Sequence, residues 1–303
     1  MARKVRLLNV SNQGTNLLMN KSIKAFPDQP TAQTSGRMAV VDIGSNTIRM
    51  VVYDTPNRLP VPIFNEKSPC QLGQGLATTG RLNPVGVECA MKSLARFVSL
   101  SASMGVERMD LLATAAVRDA SDGPEFVEHV ELTLGVQIKI PTGPEEAQLA
   151  ALGLLSGIPD ADGVLADMGG GSVDLIELNR GDFGRTFSLP IGHLRLPKAV
   201  QGDLKKAKGI VQKDLKQLPW LAEGKDRNLF AIGGAWRALA RVFIEQTEYP
   251  LHVIDGFTLR NAEALKMCRL IENLSSSTLL GITGITKSRA QALPVCAMIL
   301  GAM

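Results

Sequence analysis

The chain has 303 residues, 45% of them apolar and 20% charged, with four cysteines and a formal charge of +4. That length suits two units of about 100–150 residues. No apolar run reaches the roughly 18 residues of a membrane span, and no apolar core follows the basic N-terminus as it would in a secretion signal. A soluble cytoplasmic protein with no membrane partner is expected. Cys70, Cys89, Cys268 and Cys296 form no CxxC pair and the three histidines lack ligand spacing, so reduced thiols are expected and a histidine metal site is not. Residues 1–37 carry a net +5, which leaves residues 38–303 at −1. An anion site must therefore come from local clustering, not from total charge.

Residues 1–37 are polar and aperiodic and read as a flexible tail. MAVVDIGSNTIRMVVYD, from Met38, predicts two strands joined by a tight turn at Gly44, Ser45 and Asn46. PIFNEKSPCQLG predicts a further strand, and LGQGLATTG, which misses GxGxxG spacing, a turn between elements. Val87, Met91, Leu94, Phe97 and Val98 give helical spacing over 84–104. MDLLATAAVRDA reads as a short strand running into a loop, 124–134 as a helix and VQIKI as a strand. Pro144 followed by Glu145 and Glu146 opens a helix through Leu155. The cycle then repeats. GVLADMGGGSVDLIELN is strand, glycine turn, strand; FSLPIGHLRL is extended; 203–218 is a lysine-rich helix; NLFAIGGAWRALARVF is strand, turn, helix. The chain from Leu259 onward is mainly helical.

Asp42-Ile-Gly-Ser-Asn thus recurs as Asp167-Met-Gly-Gly-Gly-Ser, each copy between apolar strands. The repeat predicts an α/β protein of two similar lobes, each a mixed sheet flanked by helices. The expected division is a tail over 1–37, a first lobe over 38–155 and a second over 156–303.

A phosphate held by a turn needs exposed N–H groups and no side chain in the way, which glycine supplies. Gly44, Gly169, Gly170, Gly171 and Gly233 fit that need, and Ser45, Asn46 and Ser172 add hydroxyl or amide contacts. Asp42 and Asp167, at strand ends, can hold a hydrated magnesium ion, with manganese the alternative; Asp174 can join them. Hydrolysis needs a carboxylate to aim a water. Glu145 and Glu146 are the candidates, against the plainer reading of acids favoured at a helix start. Arg118, directly after ATAAV, and Arg49 can meet a polyanion. Nine basic residues against four acids between Arg195 and Arg227 form the one marked basic patch outside the tail, read either as a polyanion track or as a solvated helix face. Aromatics are 4% of the chain, too few for base stacking, so no nucleic-acid partner is expected. GxSxG, Walker A and HExxH sequences are absent.

VVDIGSNTIRMVVYD, LGQGLATTGRL, ATAAVRDASDG, GPEEAQLA, VLADMGGGSVDLIEL and LPIGHLRL, with AIGGAWRALA less strictly, together resemble the exopolyphosphatase and guanosine pentaphosphate phosphatase (Ppx/GppA) family, in its order, over residues 38–240. The resemblance implies an actin-like ATPase fold of duplicated ribonuclease H-like lobes with an interlobe cleft. It implies hydrolysis of terminal phosphates from inorganic polyphosphate or a guanosine polyphosphate, in a homodimer. Glu146 would be the base and Glu145 the fallback. Asp167 would help to hold magnesium and the attacking water. Arg118 would grip the substrate's phosphates, and the two glycine turns would line the terminal phosphate; Arg195, from the basic patch, is a further substrate-binding candidate. Asp174 replaces the family's usual glutamate, which shortens its reach. Trp236 is expected to narrow a nucleoside pocket. The second lobe stops at MILGAM and is expected to be C-terminally truncated. A phosphotransferase of the same superfamily and a non-catalytic polyphosphate or nucleotide binder are the alternatives.

Overall fold

The computed structural model describes residues 4–7, 36–55, 60–224 and 227–303. Two compact units emerge. One is Ser11–Gly157, here the first unit; the other joins Met1–Val10 to Ile158–Met303, here the second unit. The division at Gly157 falls two residues beyond the expected one, because the helix there runs on to Gly157.

The first unit holds a five-stranded sheet. Its strands are β2 (Arg37–Ile43), β3 (Ile48–Tyr53), β4 (Pro62–Ser68), β5 (Val106–Ala113) and β6 (Ile138–Lys139), in the order β4-β3-β2-β5-β6. β2 alternates as a half-covered strand should: Ala39, Val41 and Ile43 are buried and Asp42 is exposed. Among its described residues there are five helices: α1 (Leu76–Thr79), α2 (Pro84–Ser103), α3 (Ala115–Asp119), α4 (Gly123–Leu134) and α5 (Gly143–Gly157). α2 buries Ala90, Leu94, Phe97 and Ser101, one helical face. Its apolar members pack with Val41, Ile43, Ile48, Met50 and Leu111 as one core. The segment after β5, expected as a loop, is the one-turn helix α3: Val117 N–H and Arg118 N–H both bond the Thr114 carbonyl.

The second unit repeats the scheme. Its strands are β7 (Asp162–Met168), β8 (Val173–Asn179), β9 (Asp182–Leu189), β10 (Asn228–Ile232) and β11 (Phe257–Arg260), with β1 (Lys4–Leu7) from the N-terminus. The order is β11-β1-β10-β7-β8-β9. In both units a hairpin (β2-β3, β7-β8) continues antiparallel into a third strand, while its first strand pairs parallel with a later one, β5 or β10. The duplication in sequence is thus a duplication in topology, the expected actin-like arrangement. The helices are α6 (Arg195–Ala199), α7 (Leu204–Lys216), α8 (Gly234–Gln246), α9 (Asn261–Glu272), α10 (Ser276–Leu280) and α11 (Lys287–Ala302). Trp236, Leu239 and Phe243 of α8 pack with Leu293 and Ile299 of α11 in this core.

β1 overturns the reading of residues 1–37 as a tail throughout. Lys4–Leu7 lies parallel to β10 and antiparallel to β11. A four-residue strand has no local signature. It forms because backbone partners lie on both sides, a tertiary fact. The tail reading for residues 8–35 lies outside the described residues. FSLPIGHLRL is a strand only to Leu189, after which a turn leads into α6.

Candidate active site

The two Asp-x-Gly turns are built alike. In the first, β2 and β3 are linked by residues 44–47, closed by Gly44 N–H to the Thr47 carbonyl at 3.1 Å. In the second, β7 and β8 are linked by residues 169–172, closed by Gly169 N–H to the Ser172 carbonyl at 3.0 Å. Each turn is braced from behind by the segment after its third strand. Gln71 N–H bonds the Asn46 carbonyl at 3.0 Å and Gly73 N–H the Ser45 carbonyl at 2.8 Å. Gly192 N–H bonds the Gly171 carbonyl at 3.1 Å, and Leu194 and Arg195 N–H both bond the Gly170 carbonyl, at 2.9 and 3.1 Å. The carbonyls are therefore held back. Among the described residues nothing accepts from the N–H groups of Ser45, Asn46, Gly170 or Gly171. Amides left open beside satisfied carbonyls make an anion nest. LGQGLATTG, expected as a plain connector, is in its first residues the brace of the first turn.

The second brace carries a residue that sequence reasoning passed over. His193 Nδ1 lies 2.8 Å from the Gly169 carbonyl. A carbonyl only accepts, so Nδ1 carries the proton. Burial chiefly, with Arg289 nearby, brings the His193 pKa down to about 4 against the pull of the Gly169 bond, so the ring is neutral near pH 7. Arg289 of α11 was passed over as well. Its guanidinium nitrogen falls 2.6 Å from where a Cβ on Gly234 would be, at the third glycine turn. Burial lowers its pKa, and no hydrogen bond or ion pair holds it among the described residues. An arginine in the first turn of a helix whose later turns are apolar, KSRAQALPVCAMIL, is the signal that could have found it. Gly233 has φ +108 and abuts Asp167: a Cβ there would lie 2.6 Å from the Met168 carbonyl and 3.0 Å from Asp167 Oδ1.

Within the first unit the structure brings Glu146, Arg118, Asp42 and Arg49 into one charge network. Arg118 Nη1 donates to Glu146 Oε2 at 2.9 Å and to the Pro141 carbonyl at 2.9 Å. Glu145, one residue away, does something else. Its Oε2 accepts from Thr142 N–H and from Thr142 Oγ1–H, both at 2.8 Å, while Glu145 N–H faces Thr142 Oγ1. That is a capping box, and it holds the Glu145 carboxyl below its ordinary range.

Asp42 is paired in register with Arg49 across the hairpin. Its side chain is open to solvent by surface area, yet the protein walls around it, then the Glu146 charge, raise its pKa to about 6 against Arg49. The ionised form is thus disfavoured in the fold. The resulting stability is fully present below the ordinary 3.8 and is lost as pH rises through about 6. Asp42→Asn should raise the melting temperature at pH 7.5 in a chelator and change it little at pH 4. An equal shift at both values in thermal melts would contradict the assignment.

In the second unit Asp167 and Asp174 are cross-strand partners, and Ser172 Oγ bonds Asp174 Oδ2 at 3.3 Å. No cluster of three or more His, Cys, Asp or Glu side chains forms a ready metal cage among the described residues. Paired carboxylates at strand ends suit magnesium, which keeps most of its waters and takes one or two carboxylates plus phosphate oxygens.

Two expectations need correction. Trp236 is fully buried in the second unit's core and its indole N–H has no partner, so it narrows no nucleoside pocket. Arg227 is no part of a track: it donates to Asp162 and Asn179 and to the Leu178 carbonyl. Arg195 is exposed at the start of α6, and Lys205, Lys206, Lys208, Lys213 and Lys216 of α7 lie at the surface; Lys225 lies outside the described residues. A cavity of about 720 Å³ in the second unit is lined largely by apolar residues, among them Leu218, Leu229, Cys268 and Met303, and shares no residue with the turns. No helix among the described residues is long and apolar enough to cross a membrane.

Two duplicated α/β units, each carrying an amide nest beside a strand-end aspartate, define a protein that handles phosphate. A sequence model described as the Ppx/GppA phosphatase family matches residues 51–303, and the chain belongs to that family. Exopolyphosphatase 2 of Mycobacterium tuberculosis is 24% identical over 277 residues, covering 85% of this chain and 86% of the relative. Among solved structures, the Ppx/GppA member from Aquifex aeolicus has TM-score 0.75 at 23% identity, covering 88% of this chain and 89% of that one. An exopolyphosphatase from Cytophaga hutchinsonii has TM-score 0.77 at 21% identity, with the same two coverages.

Proposed function

We propose that this phosphatase is an exopolyphosphatase, releasing orthophosphate from the ends of inorganic polyphosphate by attack of water on the terminal phosphorus. The observation that carries the reading is the pair of braced turns with outward amides, each beside a strand-end carboxylate. The amides of Ser45 and Asn46, and those of Gly170 and Gly171, bind phosphate oxygens. Glu146 takes the proton of the attacking water, oriented by Arg118. Arg118 in the first unit, and Arg195 and Arg289 in the second, supply positive charge for a polyanion. Asp167 and Asp174, paired across the second hairpin, would hold magnesium there, as Asp42 would at the first turn, and the ion would offset charge on the phosphate oxygens.

A chain of phosphates needs no aromatic platform, which agrees with the scarcity of aromatics and with the buried Trp236. The test is orthophosphate release from long-chain polyphosphate with magnesium. Label moved instead to a nucleoside diphosphate would make the protein a phosphotransferase, and binding without release would make it a sensor.

The lysines of α7 form the track for long chains. Asp203 caps that helix through bonds to Lys205 N–H at 2.9 Å and Lys206 N–H at 3.1 Å, leaving both lysine side chains exposed. Lys205→Glu with Lys206→Glu should raise KM for long polyphosphate several-fold and leave tripolyphosphate unchanged. Equal losses on both substrates would remove the track.

A further inference from the structure

Cys70 and Cys89 are 19 positions apart in sequence and adjoin in the first unit. Cys70 follows β4, and Cys89 sits in the second turn of α2. Ser68 Oγ lies 3.6 Å from Cys70 Sγ and 3.8 Å from Cys89 Sγ. Ser93, one turn along α2, donates to Ser68 Oγ at 2.8 Å and lies 3.7 Å from Cys70 Sγ. Both sulfurs thus lie against the same Ser68 hydroxyl. This is a compact cluster of two thiols and two hydroxyls. Cys70 is 4% exposed, whereas Cys89 is half-buried, so Cys89 is the more open of the two to solvent.

The cluster is attached to the first phosphate turn. Gln71, next to Cys70, has φ 57, an unfavourable backbone for a residue with a side chain, and its N–H bonds Asn46. Gly73 holds Ser45. α2 meets this brace backbone to backbone: a Cβ on Gly86 would lie 2.7 Å from the Cys70 carbonyl and 3.1 Å from the Gln71 carbonyl. Asn83, which precedes α2, bonds the Leu72 carbonyl at 2.9 Å and the Gln71 carbonyl at 3.2 Å.

We propose that Cys70 and Cys89 are an oxidation site that closes to a disulfide, and that the closed form displaces the brace of the first phosphate turn. The second half rests on the reading of that turn as phosphate-binding. The oxidant is a small peroxide. The Cys89 sulfur attacks one peroxide oxygen, the O–O bond breaks, and the other oxygen leaves as water. The Cys70 sulfur then attacks the Cys89 sulfenic acid, the S–O bond breaks, and a second water leaves. Two thiols and one hydrogen peroxide give one disulfide and two waters. The surroundings suit that order: the neighbouring Cys70 thiol, then Ser68 and Ser93, lower the Cys89 pKa against its partial burial, while burial raises that of Cys70. A disulfide needs its sulfurs at about 2.05 Å. With α2 and the brace already in backbone contact at Gly86, closure is relieved through Gln71 and Gly73, the residues that hold Asn46 and Ser45.

The full chain would be treated with hydrogen peroxide, its remaining thiols blocked, and the protein digested with trypsin without reduction. Residues 68–81 contain Cys70 and residues 82–92 contain Cys89, each as a separate tryptic peptide. The expected product is these two peptides joined, lighter by two hydrogens, released by dithiothreitol and absent from Cys89→Ser. Orthophosphate release should fall on the order of 10- to 100-fold and return on reduction. Peptide 82–92 ending as a sulfinic acid, or both peptides carrying the block, would overturn the pair. A disulfide that forms while release is unchanged would overturn its action on the turn. If the reduced protein releases no orthophosphate, the exopolyphosphatase reading fails, and the joined peptides still decide the redox pair.

Discussion

Glu146→Ala should lower orthophosphate release from polyphosphate by about 10²- to 10⁴-fold, the usual contribution of a placed general base, while Glu145→Ala keeps most of the activity. The two glutamates are neighbours in sequence and differ in what they touch. Glu145 closes the capping box of α5 with Thr142. Removing it takes two acceptor contacts from the helix start, so the melting temperature falls slightly and KM stays in place. Glu146 instead faces Arg118 at 2.9 Å and bears on the charge of Asp42. Its removal leaves Arg118 bonded to Pro141 and relieves the repulsion on Asp42, so the variant stays folded. Steady-state kinetics of the two variants side by side, with circular dichroism as a folding control, decide the matter. Loss in Glu145→Ala with survival in Glu146→Ala would exchange the two roles.

Gly192→Ala should damage both stability and activity, through one contact. A Cβ there would lie 2.4 Å from Gly171 C and Ser172 N, and 2.5 Å from Gly170 C. These are backbone atoms of the second nest, and they cannot retreat without breaking the bonds from Gly192, Leu194 and Arg195 that hold the turn. Overpacking of this kind costs about 1–3 kcal/mol, or roughly 2–4 °C of melting temperature for each kcal/mol in a unit of this size. A displacement of the amides by about 1 Å would cost release on the order of 100-fold. Gly209→Ala in α7 is the control, because nothing lies within 4 Å of its Cβ position; there the melting temperature should hold or rise. If Gly192→Ala melted and turned over like the parent, the bracing of the nest by residues 192–195 would be wrong.

The legible part of this protein is what short-range chemistry writes. Alternating apolar residues around Asp42 and Asp167 announce two hairpins, and glycine between them announces turns that a phosphate can approach. The recurrence of that pattern after 125 positions announces two similar units. The capping box is legible too, in Thr142 three residues before Glu145. That spacing assigns Glu145 to the helix start and leaves Glu146 for chemistry, a distinction that sequence reasoning passed over.

What the tertiary structure decided is what depends on distant partners. β1 exists because β10 and β11 offer it hydrogen bonds from more than 200 residues away. LGQG and LPIGH became braces because each follows a third strand that the sheet returns to its own hairpin. Arg227, one basic residue among nine in sequence, is withdrawn from the patch by Asp162, Leu178 and Asn179, which lie at the ends of two other strands. Trp236 turned into the core, where apolar neighbours on α8 and α11 cover it. The packing of α2 on β4 likewise brought two thiols to one serine hydroxyl. Local pattern fixes which residues can form a strand or a nest, and only the closing of the sheet fixes which carbonyls, charges and sulfurs meet.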